Sequence, residues 1–103
     1  MTELKVKSTV KPKSLVIAAA VINAANEIGL DVDVVITSGN DGKHMDESKH
    51  YSNQALDIRS KTLDDIETPL FMRVIRRRLG KGYQVMLENN GRPNEHIHVE
   101  YDP

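Results

Sequence analysis

Histidines and carboxylates near the carboxyl end of this sequence have the spacing of a metal site. In the segment HIHVEY, strand alternation places His96, His98 and Glu100 on one face. Asp57 lies on the polar face of an earlier predicted strand, in the segment ALDIR. Imidazole nitrogens and carboxylate oxygens are ligands that suit a borderline divalent ion such as zinc. Three such ligands and one water form the usual shell of a catalytic zinc ion, so the pattern indicates metal-assisted hydrolysis.

Hydrolysis of this kind also needs a group that accepts a proton. A carboxylate beside the metal can take the proton of the attacking water and pass it to the leaving amine. Glu95, directly before the last predicted strand, is the nearest candidate.

The amino-acid composition limits which metal ligands and which binding partners are possible. The chain of 103 residues contains no cysteine, which excludes disulfides, thiolate zinc ligands and cysteine nucleophiles. Its 14 Lys and Arg against 15 Asp and Glu give a formal net charge of -1, which indicates neither a nucleic acid nor a membrane as partner. The apolar run at residues 15–22 is too short to cross a membrane, and the amino-terminal segment lacks the apolar core of a secretory signal. We therefore expect one domain, residues 1–103, made in the cytoplasm without a signal peptide.

Two helices and four strands are predicted to position these residues. The first helix follows Pro12 and ends at Gly29, with the apolar stripe Leu15, Ile17, Ala18, Val21, Ile22, Ala25 and Ile28. The second begins at Pro69 and ends at Gly80, with inward-facing Leu70, Phe71, Val74, Ile75 and Leu79. Strands are predicted at residues 33–37, 54–59, 83–88 and 96–101, after an extended segment at residues 1–12. Consecutive strands joined by turns favour an α+β domain with a mainly antiparallel sheet and two helices.

Two segments resemble the motifs of a known peptidase family. Residues 48–57, SKHYSNQALD, resemble the S-x-H-x-x-G-x-A-x-D signature of zinc D-Ala-D-Ala peptidases. Residues 95–98, EHIH, are similar to the second motif of that family, an acid followed after two residues by a histidine. The family includes D-Ala-D-Ala carboxypeptidases and the L-alanyl-D-glutamate endolysins of phages. The resemblance therefore implies the hedgehog/DD-peptidase fold.

The same resemblance implies three zinc ligands and a general base. It makes His50, Asp57 and His98 the ligands of Zn²⁺ and Glu95 the base. Strict strand alternation instead sends Glu95 to the face opposite His98, which favours His96 as the base. Because Glu95 follows a predicted turn, a local bulge can redirect its side chain, and we expect Glu95 to be the base.

Other residues of the two motifs are expected to line the site. The resemblance places Ser48 outside the ligands as a support, and Ser38 belongs to VITSG, which is similar to the strand and Ser-Gly before the first motif. His96 would form the site wall or hydrogen-bond to a ligand. Two positions depart from the family. Asn53 replaces the motif glycine, and Asp41 stands where family members commonly carry an arginine that contacts the substrate.

Three further features have simpler interpretations. We expect His44 to be solvated in a loop and Glu100 to be an outer acid rather than a ligand. The third feature is a group of four arginines at helical spacing, which we expect to form a solvated helix face. A weak attraction of this group to anionic wall polymers is the alternative. The four residues are Arg73, Arg76, Arg77 and Arg78.

Together, the residues and the resemblance predict a zinc metallopeptidase that hydrolyses an amide bond in the stem peptides of peptidoglycan. The D-Ala-D-Ala carboxypeptidase and L-Ala-D-Glu endopeptidase types both stay open. With no signal peptide, a phage lysis enzyme that acts at the cell wall once released is expected, and a monomer is favoured. The alternative is a non-catalytic, zinc-stabilised binding module on the same fold.

Overall fold

Two helices and one five-stranded sheet form the part of the chain that the computed structural model describes, residues 2–7, 14–38 and 55–102. The helices are α1 (Leu15–Glu27) and α2 (Glu67–Leu79). The strands are β1 (Leu4–Val6), β2 (Val34–Ser38), β3 (Ala55–Arg59), β4 (Tyr83–Glu88) and β5 (His96–Tyr101). The predicted α+β class with two helices is confirmed.

The sheet is mixed but mostly antiparallel, with the strand order β1-β2-β3-β5-β4. Its one parallel pair is β1 with β2, and the other three pairings are antiparallel. Sequence analysis predicted only an extended segment at residues 1–12 and no strand there. A three-residue strand is too short to show periodicity, and its partner Val34–Ser38 lies about 30 residues away along the chain.

Both helices pack on the same face of the sheet. The buried core includes Ile17 and Val21 of α1, Phe71 and Ile75 of α2, and apolar residues of β2 to β5. Leu15, predicted to face the core, is 55% exposed. At 3.6 residues per turn Leu15 lies roughly 120° from the direction of Val21, so it falls outside the buried stripe.

The second helix begins two residues before Pro69, its predicted start. Oδ1 of Asp64 accepts a hydrogen bond from the backbone N–H of Glu67 at 2.7 Å, and Oε1 of Glu67 accepts one from the N–H of Asp64 at 3.0 Å. This reciprocal pair is a capping box, which supplies partners to the free N–H groups of a helix start. Pro69 is tolerated in the first turn, where a backbone N–H has no helical partner. Leu70, predicted to face inward, is 42% exposed.

Alternation along β3 and β5 separates the core from the candidate site, as the sequence predicts. Leu56 and Ile58 of β3 and Ile97 and Val99 of β5 are fully buried in the core. Their neighbours in sequence therefore point to the face away from the helices. None of the helices in the described ranges combines the length and the apolar character that a membrane span requires.

Candidate metal centre

Strand pairing brings the predicted ligands Asp57 and His98 side by side. β3 and β5 run antiparallel, with Asp57 opposite His98 and Arg59 opposite His96. On the other side of β5, Glu88 of β4 lies opposite His96. All five residues alternate with core residues of their own strands, so their side chains share the face away from the helices.

Four donor atoms on this face, one each from Asp57, Glu88, His96 and His98, lie within 4.8 Å of one another. Nδ1 of His98 is 2.7 Å from Oδ1 of Asp57 and 3.9 Å from Oε1 of Glu88. Nε2 of His96 is 2.8 Å from Oε1 of Glu88 and 3.6 Å from Oδ1 of Asp57. These four side chains, called the metal cluster below, could hold a metal ion. The cluster opens to solvent at Glu88, whose side chain is 44% exposed, against 11% for His98.

His96 is held in the tautomer that a metal ligand needs. Its Nδ1 donates to the backbone carbonyl oxygen of Asn94, 3.0 Å away, because a carbonyl oxygen can only accept. In the neutral ring, Nε2 then carries the lone pair, and Nε2 is the atom that faces Glu88 and Asp57.

The ring of His98 is oriented from both sides. Nδ1 contacts Asp57, and Nε2 lies 3.0 Å from Oε1 of Glu100. When one nitrogen of a histidine binds a metal, the other usually donates its N–H to a carboxylate or carbonyl group, which fixes the ring. Glu100 is placed to be that acceptor for His98, and it lies outside the metal cluster.

The carboxylates around the two histidines favour the charged imidazoles in the metal-free protein. Burial is the largest single effect on the pKa of His98 and lowers it, but the interactions with Asp57, Glu88 and Glu100 together outweigh burial, so the net shift is upward. Burial also lowers the pKa of His96, and the Asn94 carbonyl, the charge of Asp57 and the interactions with Glu88 together make the net shift upward. A metal ion would replace those protons, because it binds the neutral imidazole.

The donor set fits a borderline divalent cation such as zinc. With metal to ligand bonds of about 2.0–2.1 Å and tetrahedral angles, neighbouring ligand atoms lie roughly 3.4 Å apart. The separations of 2.7, 2.8, 3.6 and 3.9 Å in the metal cluster bracket that value. Two imidazoles with two carboxylates also suit zinc better than magnesium or calcium, which prefer oxygen ligands alone.

Glu95, the predicted base, lies outside the metal cluster and is held by two hydrogen bonds. The backbone N–H of Gly91 donates to Oε2 at 2.9 Å, and the Ser60 hydroxyl donates to Oε1 at 2.7 Å. These bonds hold the pKa of Glu95 below its usual value, so the carboxylate is ionised at neutral pH, as a base must be. Glu95 also borders the cavity that Asp57 and His96 line.

Sequence analysis did not include Glu88 in the site. The signal for it was the hairpin register, because the predicted strands at residues 83–88 and 96–101 flank a turn and run antiparallel. In such a hairpin the residue just before the turn, Glu88, can pair with the residue just after it, His96, and the two do pair.

Two predicted site residues, His50 and Ser48, lie outside the described ranges, and so do His44, Asp41 and Asn53. The backbone of Ser38 pairs with Asp57 where the register between β2 and β3 shifts. A shift of this kind is a local irregularity of the ladder, and bulges are common next to functional sites. The backbone of β2 therefore ends beside the metal cluster.

One cavity borders the metal cluster, and a second cavity shares two lining residues with the first. One of about 250 Å³ is lined by Asp57, His96 and Arg59, together with Lys61 and Glu95. A larger one of about 450 Å³ shares Lys61 and Glu95 and continues to a second set of residues, Leu63, Leu87 and Arg92. The larger cavity contains no residue of the metal cluster among those that line it.

Comparison with known proteins found no match, either among protein-family models or among curated proteins.

Proposed function

We propose that this chain is a zinc peptidase that hydrolyses an amide bond in the stem peptides of peptidoglycan, on a fold of the hedgehog/DD-peptidase type. The observation that carries the proposal is the contact between Asp57 and His98, two residues of separate motifs that lie 2.7 Å apart on one sheet face. The two helices packed on a largely antiparallel sheet are compatible with the proposed fold.

In this proposal His50, Asp57 and His98 would hold the zinc ion. When bound, zinc supplies a Lewis acid and a water whose pKa is near 7. Glu95 is ionised and is fixed at the cavity by Ser60 and Gly91. It accepts the proton of the attacking water and delivers it to the leaving amine. The cavity lined by Asp57 and His96 is where the peptide would bind.

The test is incubation of the zinc-loaded protein with peptidoglycan fragments, followed by mass analysis of the products. Cleavage of one stem-peptide bond is expected, either D-Ala-D-Ala or L-Ala-D-Glu. Asp57→Asn should abolish it, because the variant loses a negatively charged ligand. Asp31→Asn is the matched control, since Asp31 is exposed and far from the cluster in sequence. Intact fragments at every zinc concentration would refute the peptidase proposal.

One observation favours a second function, a zinc-stabilised binding module without hydrolysis. The metal cluster offers four protein donors, and four protein ligands fill a tetrahedral shell and leave no position for water. Such closed shells are typical of structural zinc sites.

Two variants separate the two functions by metal content alone. If the metal shell is the catalytic one, His50→Ala should lower zinc content and Glu88→Gln should leave it near one ion per chain. If the shell is the closed one, the effects should be reversed. Elemental analysis of the purified variants measures the difference.

A further inference from the structure

Arg59 lies on the same face of the sheet as the metal cluster. It lies two residues from Asp57 on β3 and directly opposite His96 of β5, so its side chain leaves the sheet on the same face as the metal cluster. Adjacent residues on one face of a strand are separated by about 7 Å. An arginine side chain can easily span that distance, and Arg59 lines the same cavity as Asp57 and His96.

Within the described ranges, Arg59 is a half-buried cation with neither a hydrogen-bond partner nor an ion-pair partner. Three other arginines are paired although they are exposed. Arg77 and Arg78 both bind the carboxylate of Glu27, and Arg76 donates to the carbonyl oxygen of Val85. A guanidinium group that is partly withdrawn from water favours an anionic partner, and a planar carboxylate matches its fork of donors.

We propose that Arg59 binds the α-carboxylate of the substrate residue that supplies the leaving amine. This inference rests on the proposed peptidase function and names the substrate class, which is a peptide whose scissile nitrogen is attached to a carbon that carries a free carboxylate. D-Ala-D-Ala ends and L-Ala-D-Glu bonds both meet this description, because the D-Glu of a stem peptide is linked onward through its side chain. Lys61, exposed on the same cavity, adds a second positive charge.

The charge around the cavity favours a free carboxylate at Arg59. With zinc bound, the two positive charges of the ion would offset the carboxylates of Asp57 and Glu88, so the metal cluster would not repel an anion. Arg59 and Lys61 outnumber Glu95, the other carboxylate that lines the cavity, and their charges attract an anion to that part of it.

The experiment compares peptides that differ only at this carboxylate. An acyl-D-Ala-D-Ala peptide and its carboxy-terminal amide, and an L-Ala-D-Glu peptide with a free or an amidated α-carboxyl group, are tested on the zinc-loaded protein. The wild type should prefer the acid in whichever pair it hydrolyses. Arg59→Gln should raise KM for the acid roughly 10- to 100-fold, the loss expected for a charged hydrogen bond, and leave the amide unaffected. The KM of Arg59→Lys for the acid should lie between those of the wild type and Arg59→Gln, since lysine keeps the positive charge but lacks the forked pair of donors.

Arg73→Gln is the matched control, because Arg73 is an exposed arginine on α2, on the other side of the sheet. Equal losses on acid and amide, or no loss at all in Arg59→Gln, would overturn the inference. Thermal unfolding of each variant shows whether a loss of activity comes from misfolding. If Arg59→Gln is misfolded, Arg59→Lys serves as the test in its place.

A failure of this inference is distinguishable from a failure of the proposed function. If no peptide is hydrolysed, binding of the acid and amide peptides to the zinc-loaded protein is measured by calorimetry. If the wild type binds the acid more tightly than the amide and Arg59→Gln does not, the carboxylate site is supported although the peptidase proposal has failed. Equal binding of acid and amide would reject the site.

Discussion

At the scale of single residues, Glu95 and His96 are neighbours in sequence but belong to different hydrogen-bond networks. Glu95 is bound to Ser60 and Gly91, whereas His96 faces Glu88 and Asp57 within the metal cluster. Glu95 lines the cavity and is ionised, as a base must be, but its lowered pKa makes it a weaker base than an ordinary glutamate. The position of His96 suits a ligand or a residue that orients one.

These roles predict opposite effects of two conservative substitutions. Glu95→Gln keeps the shape of the side chain but removes the base, so turnover should fall roughly 10²–10⁴-fold while zinc content stays near one ion per chain. His96→Gln should reduce turnover much less. Turnover of a stem-peptide substrate and elemental analysis measure the two quantities. An active Glu95→Gln beside an inactive, zinc-loaded His96→Gln would exchange the roles, and two fully active variants would leave the mechanism without a base.

At the scale of elements, β5 contributes to the core with one face and to the metal cluster with the other. Ile97 is fully buried among the core residues, and Glu100, on the opposite face, accepts from Nε2 of His98. Ile97→Ala should lower the free energy of unfolding by about 2–5 kcal/mol, as large-to-small core substitutions do. Glu100→Gln should instead weaken metal binding roughly 10- to 100-fold, because the carboxylate that orients His98 is lost.

The two β5 variants are compared by chemical denaturation with a chelator present and by metal titration of the folded protein. Met86→Leu is a suitable control for Glu100→Gln, because Met86 lies opposite His98 on the same face without belonging to the cluster. If Glu100→Gln bound zinc as tightly as the wild type, Glu100 would have no part in orienting His98. An Ile97→Ala variant of unchanged stability would place Ile97 outside the cooperative core.

At the scale of the whole molecule, pH and metal should act on stability in opposite directions. The pKa values of His96 and His98 are raised in the folded protein, so their charged forms stabilise the metal-free fold below the unfolded pKa of about 6.5. That contribution is lost as the pH rises through the raised values. Zinc binds only the neutral rings, so its stabilising effect should grow over the same range, to about 4 kcal/mol at a zinc concentration roughly 1,000 times Kd.

Melting temperatures measured at about pH 6 and about pH 8, with zinc or with a chelator, check this prediction. The increase in melting temperature that zinc causes should be larger at the higher pH. His98→Asn should remove most of the difference, because it lacks the titrating ring. An increase that is the same at both pH values would mean that the histidines of the metal cluster are not the groups displaced by zinc.

The sequence by itself determined the local features of this protein. The strands Tyr83–Glu88 and His96–Tyr101 have the predicted bounds, and α1 ends near Gly29 as expected. Alternation along β5 places His98 opposite the core, which follows from the two-residue period of a strand. These features depend on residues close together in the chain, so their patterns are readable without a fold.

Only the tertiary structure decided which elements lie next to one another. The order β1-β2-β3-β5-β4 sets β5 between β3 and β4, and this brings Asp57 to His98 across 41 positions of sequence and adds Glu88 from the other side. The same packing binds Glu95 to Ser60, 35 residues away, and leaves Arg59 unpaired within the described ranges. Strand pairing depends on how the whole chain buries its apolar faces and satisfies its backbone hydrogen bonds, and no local pattern of residues encodes that sum.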